Sequence, residues 1–140
     1  MKKIAVVFWS GTGNTEVMAE TVKTGAEGKG ASVELFRASD FDKEKVSQFD
    51  GIAFGCPAMG AEVLEEEEFE PMFASIESEL SGKAIALFGS YGWGDGQWMR
   101  EWEERCRNLG ANLVADGVMA NEAPDDEALE NCKNLGELLA

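Results

Sequence analysis

The sequence predicts an α/β protein, a doubly wound, five-stranded parallel sheet with helices on both faces. Two observations predict it. Short runs of β-forming residues alternate with stretches of helical period along all 140 residues. The first run, Ile4–Trp9, is apolar throughout and does not alternate in polarity, which suits a strand buried on both faces.

The elements follow in order. Ile4-Ala5-Val6-Val7-Phe8-Trp9 is the first strand. Residues 10–14 are small and polar, hence a loop. From Thr15 the period changes, with Thr15, Met18, Ala19, Val22 and Ala26 on one helical face, and Gly28 and Gly30 stop that helix. Residues 33–36 form a short second strand, and 40–48 a polar link with one helical turn. Gly51-Ile52-Ala53-Phe54-Gly55 is the third strand, followed by a loop at 56–62. Phe69, Phe73, Ile76 and Leu80 mark a helix, with Pro71 near its start. Residues 84–88 are the fourth strand and 89–96 a glycine-rich loop. Trp98, Trp102, Cys106 and Leu109 mark the next helix, capped by Gly110. Residues 112–115 and 118–120 are a fifth strand interrupted at Asp116-Gly117, and Leu129, Cys132, Leu135 and Leu139 give a last helix after Pro124. The whole of 1–140 reads as one domain.

Composition narrows the function. The 27 acidic and 12 basic residues leave a net charge of -15, which repels nucleic acid and anionic membrane surfaces and attracts a partner with a basic patch. The absence of histidine excludes imidazole metal sites and Ser–His or Cys–His catalysis. The three cysteines form no C-x-x-C pair, so a disulfide scaffold and a cysteine-rich metal site are excluded as well. No apolar run approaches the roughly 20 residues of a membrane helix, and the run at 4–9 is too short for a signal peptide. The expectation is a cytoplasmic protein with no metal and no catalytic residue.

In open parallel sheets, ligands bind beyond the C-terminal strand ends. Three loops leave such ends. Ser10-Gly11-Thr12-Gly13-Asn14-Thr15 packs three hydroxyls, an amide and two glycines ahead of a helix. Inward-pointing N–H groups and the positive end of the helix dipole suit a dianionic phosphate there. No Lys or Arg lies in that loop, unlike a Walker A loop, and a dinucleotide fingerprint fails at Glu16. The other two loops suit a flat ring. Trp93, between Gly92 and Gly94, can stack on one face and Met59 can cover the other. The small residues around them let backbone groups reach the ring edge, and Glu62 can accept from a ring N–H.

These motifs resemble flavodoxin, specifically the short-chain type of anaerobic bacteria. The first loop is similar to the family's phosphate motif for flavin mononucleotide (FMN). Pro57-Ala58-Met59-Gly60-Ala61-Glu62 and Ser90-Tyr91-Gly92-Trp93-Gly94-Asp95 resemble its two ring-binding loops. The resemblance spans essentially the whole chain and implies the sheet order 2-1-3-4-5 and non-covalent FMN. It implies that Ser10, Thr12, Asn14 and Thr15 hold the phosphate, and that Trp93 and Met59 flank the ring. Glu62 then meets N3–H, amides near Gly92 and Trp93 reach N1 and O2, and the peptide at Gly60 flips on reduction. Ala61 stands where many relatives carry Asp, which removes a carboxylate near the flavin and changes the turn.

The function expected is a low-potential one-electron carrier shuttling between semiquinone and hydroquinone. None of the three loops holds a cation to neutralise a fully reduced ring, and about 1.4 kcal/mol of such cost is about 59 mV for one electron. Residues 62–80 carry eight Glu and no Lys or Arg, a solvated face or a docking surface for redox proteins with basic patches. Trp98, Trp102 and the three cysteines read as core. The chain is expected to be a monomer. The alternative is a small FMN-dependent reductase acting on a nicotinamide cofactor or quinone. A receiver-type signalling domain is disfavoured, because Trp9-Ser10 and Cys56-Pro57 stand where it needs carboxylates.

Overall fold

The first apolar run forms β1 (Lys3–Phe8), buried at every position from Ile4 to Phe8. The computed structural model describes residues 2–140; Met1, the first residue of the expected 1–140 domain, lies outside the described residues. In the parallel sheet β1 stands between β2 (Ser32–Arg37) and β3 (Gly51–Gly55), and β4 (Ala84–Tyr91) follows. The far edge comes in two pieces, β5 (Asn112–Leu113) and β6 (Val118–Asn121), both paired with β4. Counted as one interrupted strand, they complete the order 2-1-3-4-5.

Because successive side chains of a strand point to opposite faces, β1 feeds two cores. Ile4, Val6 and Phe8 pack with Met18, Val22, Cys132 and Leu135, from α1 (Asn14–Gly28) and α5 (Asp126–Leu139). Ala5 and Val7 join the opposite core with Phe69 and Phe73, from α3 (Phe69–Ile76), and Trp98 and Trp102, from α4 (Gln97–Asn108). In that second core Phe73 meets Phe54 edge-on at 5.1 Å, and Trp102 meets Phe69 at 5.4 Å. Trp98, Trp102 and all three cysteines are buried, as expected.

The structure departs from the sequence reading at several element ends: β1 stops at Phe8 and leaves Trp9 outside, and β2 gains a residue at each end. Strand β4 runs three residues past the expected 84–88, to Tyr91, because β6 pairs with Phe88–Tyr91. Gly89 is required inside it, since a Cβ there would overlap the Cys56 carbonyl. The helix read from Phe69 to Leu80 ends at Ile76 and tightens into a 3₁₀ turn, Glu77–Glu79. The polar link has its one expected helical turn, the four-residue α2 (Lys43–Val46), and an unexpected 3₁₀ turn at Ala38–Asp40 precedes it. The break in the edge strand is wider than Asp116-Gly117, because the Gly117 amide is drawn off the sheet to Glu103 Oε2 at 2.6 Å.

Helices α1 and α5 approach closely at two glycines. A Cβ on Gly25 would overlap the Lys133 carbonyl, and one on Gly136 the Val22 carbonyl. Alanine is the better helix former by about 1 kcal/mol, so propensity alone favours substitution. Contact with rigid backbone decides the other way. Gly25→Ala and Gly136→Ala are each expected to lower stability by about 2 kcal/mol net, read as a drop in the urea midpoint at unchanged slope.

Candidate functional site

The loops after β1, β3 and β4 meet at the C-terminal edge of the sheet and enclose a cavity of about 400 Å³. The first contributes Trp9, Ser10, Gly11, Thr12, Asn14 and Thr15; the second Pro57, Ala58 and Met59; the third Ser90, Tyr91 and Gly92. Glu122, just past β6, completes the wall and is its only charged residue.

The first loop is folded around one hydroxyl. Ser10 Oγ accepts from the amides of Gly13 at 3.1 Å and Glu16 at 3.3 Å. Gly13 takes the left-handed conformation (φ 97°) that turns the chain into α1. Thr12 Oγ1 meets the Asn14 amide at 3.5 Å. Among the described residues the amides of Gly11, Thr12 and Thr15 have no partner within the protein. Three unpaired N–H donors at a helix start, beside the positive end of its dipole, make an anion cradle. Thr15 is buried, and its hydroxyl is shared with Ser90 Oγ at 3.2 Å, so it ties the cradle to β4.

The second loop is a tight hairpin. Met59 and Val63 exchange both backbone hydrogen bonds, at 2.8 and 3.0 Å, around Gly60, Ala61 and Glu62. Gly60 (φ 50°) and Glu62 (φ 56°) both take left-handed backbone, a strained state for glutamate. The Glu62 carboxylate lies beside Gly94 and accepts from the Gln97 amide at 3.2 Å, at the start of α4. Ala58 N–H donates to the Ser90 carbonyl at 3.0 Å and joins the second loop to the third. In the third loop Trp93 is 63% exposed. Asp95 pairs with Arg100 at 3.0 Å, which also bonds the Asp95 carbonyl.

The predicted residues thus divide. Ser10, Gly11, Thr12, Asn14, Thr15, Pro57, Ala58, Met59, Ser90, Tyr91 and Gly92 come together on the cavity wall. Gly13, Gly60, Ala61, Glu62, Trp93, Gly94 and Asp95 belong to the same loops but lie outside that wall. Trp9 and Glu122 were missed. Trp9 read as the end of an apolar strand, although an indole directly before Ser10 stood next to the site. Glu122 (φ 58°), with Glu62, is one of two non-glycine residues of positive φ among those described. Its amide donates to the Tyr91 carbonyl at 2.7 Å, which no sequence pattern announces.

Comparison with known proteins agrees with this geometry. The family model described as Flavodoxin matches residues 6–136. The chain belongs to the flavodoxin family. It is 44% identical to a flavodoxin of Megasphaera elsdenii, over 98% of each chain. It is 46% identical to one of Clostridium beijerinckii, over 96% of this chain and 97% of that one. The solution structure of the two-electron reduced M. elsdenii flavodoxin superposes with a TM-score of 0.90 at 45% identity, covering 97% of both chains. As a flavodoxin the protein is a small FMN-binding electron carrier that works with redox partner proteins, and not an enzyme; the reductase alternative is not favoured.

Much of this flavodoxin's acidic run is structural. Glu70 and Glu77 clasp Arg105, at 2.7 and 2.9 Å, with the guanidinium 4.8 Å from the Phe73 ring centre. Glu62 meets the Gln97 amide and Glu68 accepts from the Trp9 indole. Glu65 is buried and accepts from the amides of Glu67, Glu68 and Phe69, at 2.9, 2.7 and 2.8 Å. Burial pushes its carboxyl upward, but the three donors outweigh it and hold the pKa below the usual glutamate range. The side chains of Glu66, Glu67 and Glu79 have no partner among the described residues. Burial pushes the thiols of Cys106 and Cys132 up to about 12 and that of Cys56 higher still, so none is a ready nucleophile.

The Glu65 cap carries a pH signature. A carboxyl whose folded pKa lies below its unfolded value, about 4.3, stabilises the fold above that value and ceases to as pH falls through the folded one. Glu65→Ala is expected to cost about 2 kcal/mol at pH 7. Urea unfolding should show the gap to wild type narrowing at pH 3; an undiminished gap there contradicts the cap.

Proposed function

We propose that the three loops bind FMN with its phosphate on the Ser10–Thr15 cradle and its ring between Met59 and Trp93. The single domain then acts as a low-potential one-electron carrier. What supports the reading is a cavity with unpaired amides at one end, small residues along its length and no cation on its wall. Its size lies within the range that holds small ligands.

Bound FMN supplies reversible uptake and release of single electrons; the chain's residues set where it sits and which charge it tolerates. The amides of Gly11, Thr12 and Thr15 meet the phosphate with backbone dipoles. Met59, 36% exposed, and Trp93 offer faces large and soft enough to sandwich a flat ring. Hairpin 59–63 gives the backbone at Gly60 the freedom to present either an N–H or a carbonyl to the ring edge. Glu122 on the wall, Glu62 nearby and a net charge of -15 disfavour any added negative charge in the cavity. Each 1.4 kcal/mol of that disfavour lowers the second one-electron potential by about 59 mV.

The partners are redox proteins with basic patches, met by this chain as a cytoplasmic monomer; no helix of the structure is long and apolar enough to cross a membrane. The docking face follows from which groups are left over. Met59, Val63 and Trp93 are exposed on the second and third loops. Glu66 and Glu67 follow the hairpin, their side chains without partners among the described residues.

Stepwise reduction followed by absorbance tests the carrier. Two resolved one-electron steps, the second well below the first, are expected; a single two-electron step contradicts the reading. Electron exchange with a basic haem protein tests the docking face. The rate should fall steeply between 0.01 and 0.15 M salt, as the screening length drops from about 30 to about 8 Å. A salt-independent rate removes the charged docking face.

A further inference from the structure

The indole of Trp9 stands on the cavity wall and is held from two sides. Its six-membered edge faces the phosphate loop: a Cβ on Gly11 would sit 3.0 Å from Cη2 and 3.3 Å from Cζ3. On its other side Nε1 donates to Glu68 Oε1 at 3.3 Å. Glu68 has a fixed mount, because its own amide donates to the buried carboxylate of Glu65 at 2.7 Å. The Trp9 amide is pinned as well, to the Gly55 carbonyl at 3.0 Å. The ring is half-buried against the core on the Phe69 and Trp98 face of the sheet, and the Glu68 bond adds the one polar restraint on its rotation among the described residues. An indole N–H is a donor with no acceptor capacity of its own, so losing Glu68 leaves the ring to the pull of solvent.

We propose that Glu68 is a positioning residue for the cofactor: by holding the Trp9 indole against Gly11, it keeps the cavity wall in the shape that receives FMN. The proposal rests on the FMN reading above. It gives one exposed carboxylate of the acidic run a role behind the cavity wall, acting on the site through Trp9. It also predicts a sign opposite to simple electrostatics. Glu68 is a negative charge near the cradle for a dianion, so removing it should tighten FMN if charge were its only effect. Losing the hold on Trp9 should instead weaken binding.

The test titrates cofactor-free protein with FMN, following flavin fluorescence, for wild type, Glu68→Gln, Glu68→Ala, Trp9→Phe and the Trp9→Phe/Glu68→Ala pair. The Trp9 indole N–H signal is recorded by ¹H–¹⁵N NMR in the cofactor-free proteins. Glu68→Ala is expected to weaken FMN about three- to tenfold and to shift the Trp9 signal toward that of a solvent-exposed indole. Glu68→Gln keeps an acceptor without the charge and should restore both. In the Trp9→Phe background Glu68→Ala should no longer weaken binding. Unchanged or tighter binding in Glu68→Ala overturns the proposal, as does equal loss in Glu68→Gln or a full loss persisting without the indole N–H. If wild type itself takes up no FMN, the FMN reading fails and the proposal with it. If wild type binds and the pattern is absent, only the proposal fails.

Discussion

Ser10 Oγ accepts two backbone amides, those of Gly13 and Glu16, and the geometry of the phosphate cradle depends on that pair of bonds. With those two donors consumed, the loop curls and the amides of Gly11, Thr12 and Thr15 are left without partners among the described residues. On the reading proposed above, a chain of net charge -15 then holds a doubly charged ester with no cation against it. Fixed dipoles can do this because they need no reorganisation and, unlike a Lys or Arg, add no formal charge to the site. The same choice has an electrochemical consequence. A cation placed for the phosphate would also have eased the second electron onto the ring. In the proposed carrier, leaving it out keeps the surroundings hostile to that electron, which is what a low potential needs.

The sheet supplies the rigidity that such a loop requires. Strand β1, buried on both faces, delivers Trp9 and Ser10 to the C-terminal edge, and β4 delivers Ser90 beside them. The Thr15–Ser90 hydroxyl contact and the Ala58–Ser90 backbone bond lock the three loops to one another through a single residue of β4. On the outer side, Glu70 of α3 and Glu77 of the 3₁₀ turn after it are fastened to α4 through Arg105, and α3 and α4 are the helices that follow the second and third loops. The acidic run therefore serves two ends. Part of it is internal scaffolding, and a smaller part, around Glu66 and Glu67, remains as surface charge.

Most of this was legible in the sequence, for definite reasons. Runs of apolar β-formers announced the central strands, the 3.6-residue period announced four of the helices, and the density of hydroxyls and glycines at 10–15 announced a loop at the C-terminal edge of the sheet. What escaped depends on contacts distant in sequence. Ser90 and Tyr91 looked like loop because they are polar, and only pairing with β6 makes them strand. Glu122 could not be found because its left-handed backbone runs against glutamate's preference and is imposed by the Tyr91 carbonyl. Trp9 was hidden by its apolar neighbours, and its partner Glu68 by the uniformity of the run around it. A row of identical residues carries no mark of which one caps a helix, which clasps an arginine and which holds an indole.

The claim at the centre is that backbone dipoles grip the phosphate. Titrating the cofactor-free protein in parallel with FMN and with riboflavin, which lacks the phosphate, tests it most directly. One FMN per chain, bound at least a hundredfold more tightly than riboflavin, about 2.7 kcal/mol, is the result expected. Equal affinity for the two flavins would contradict the account.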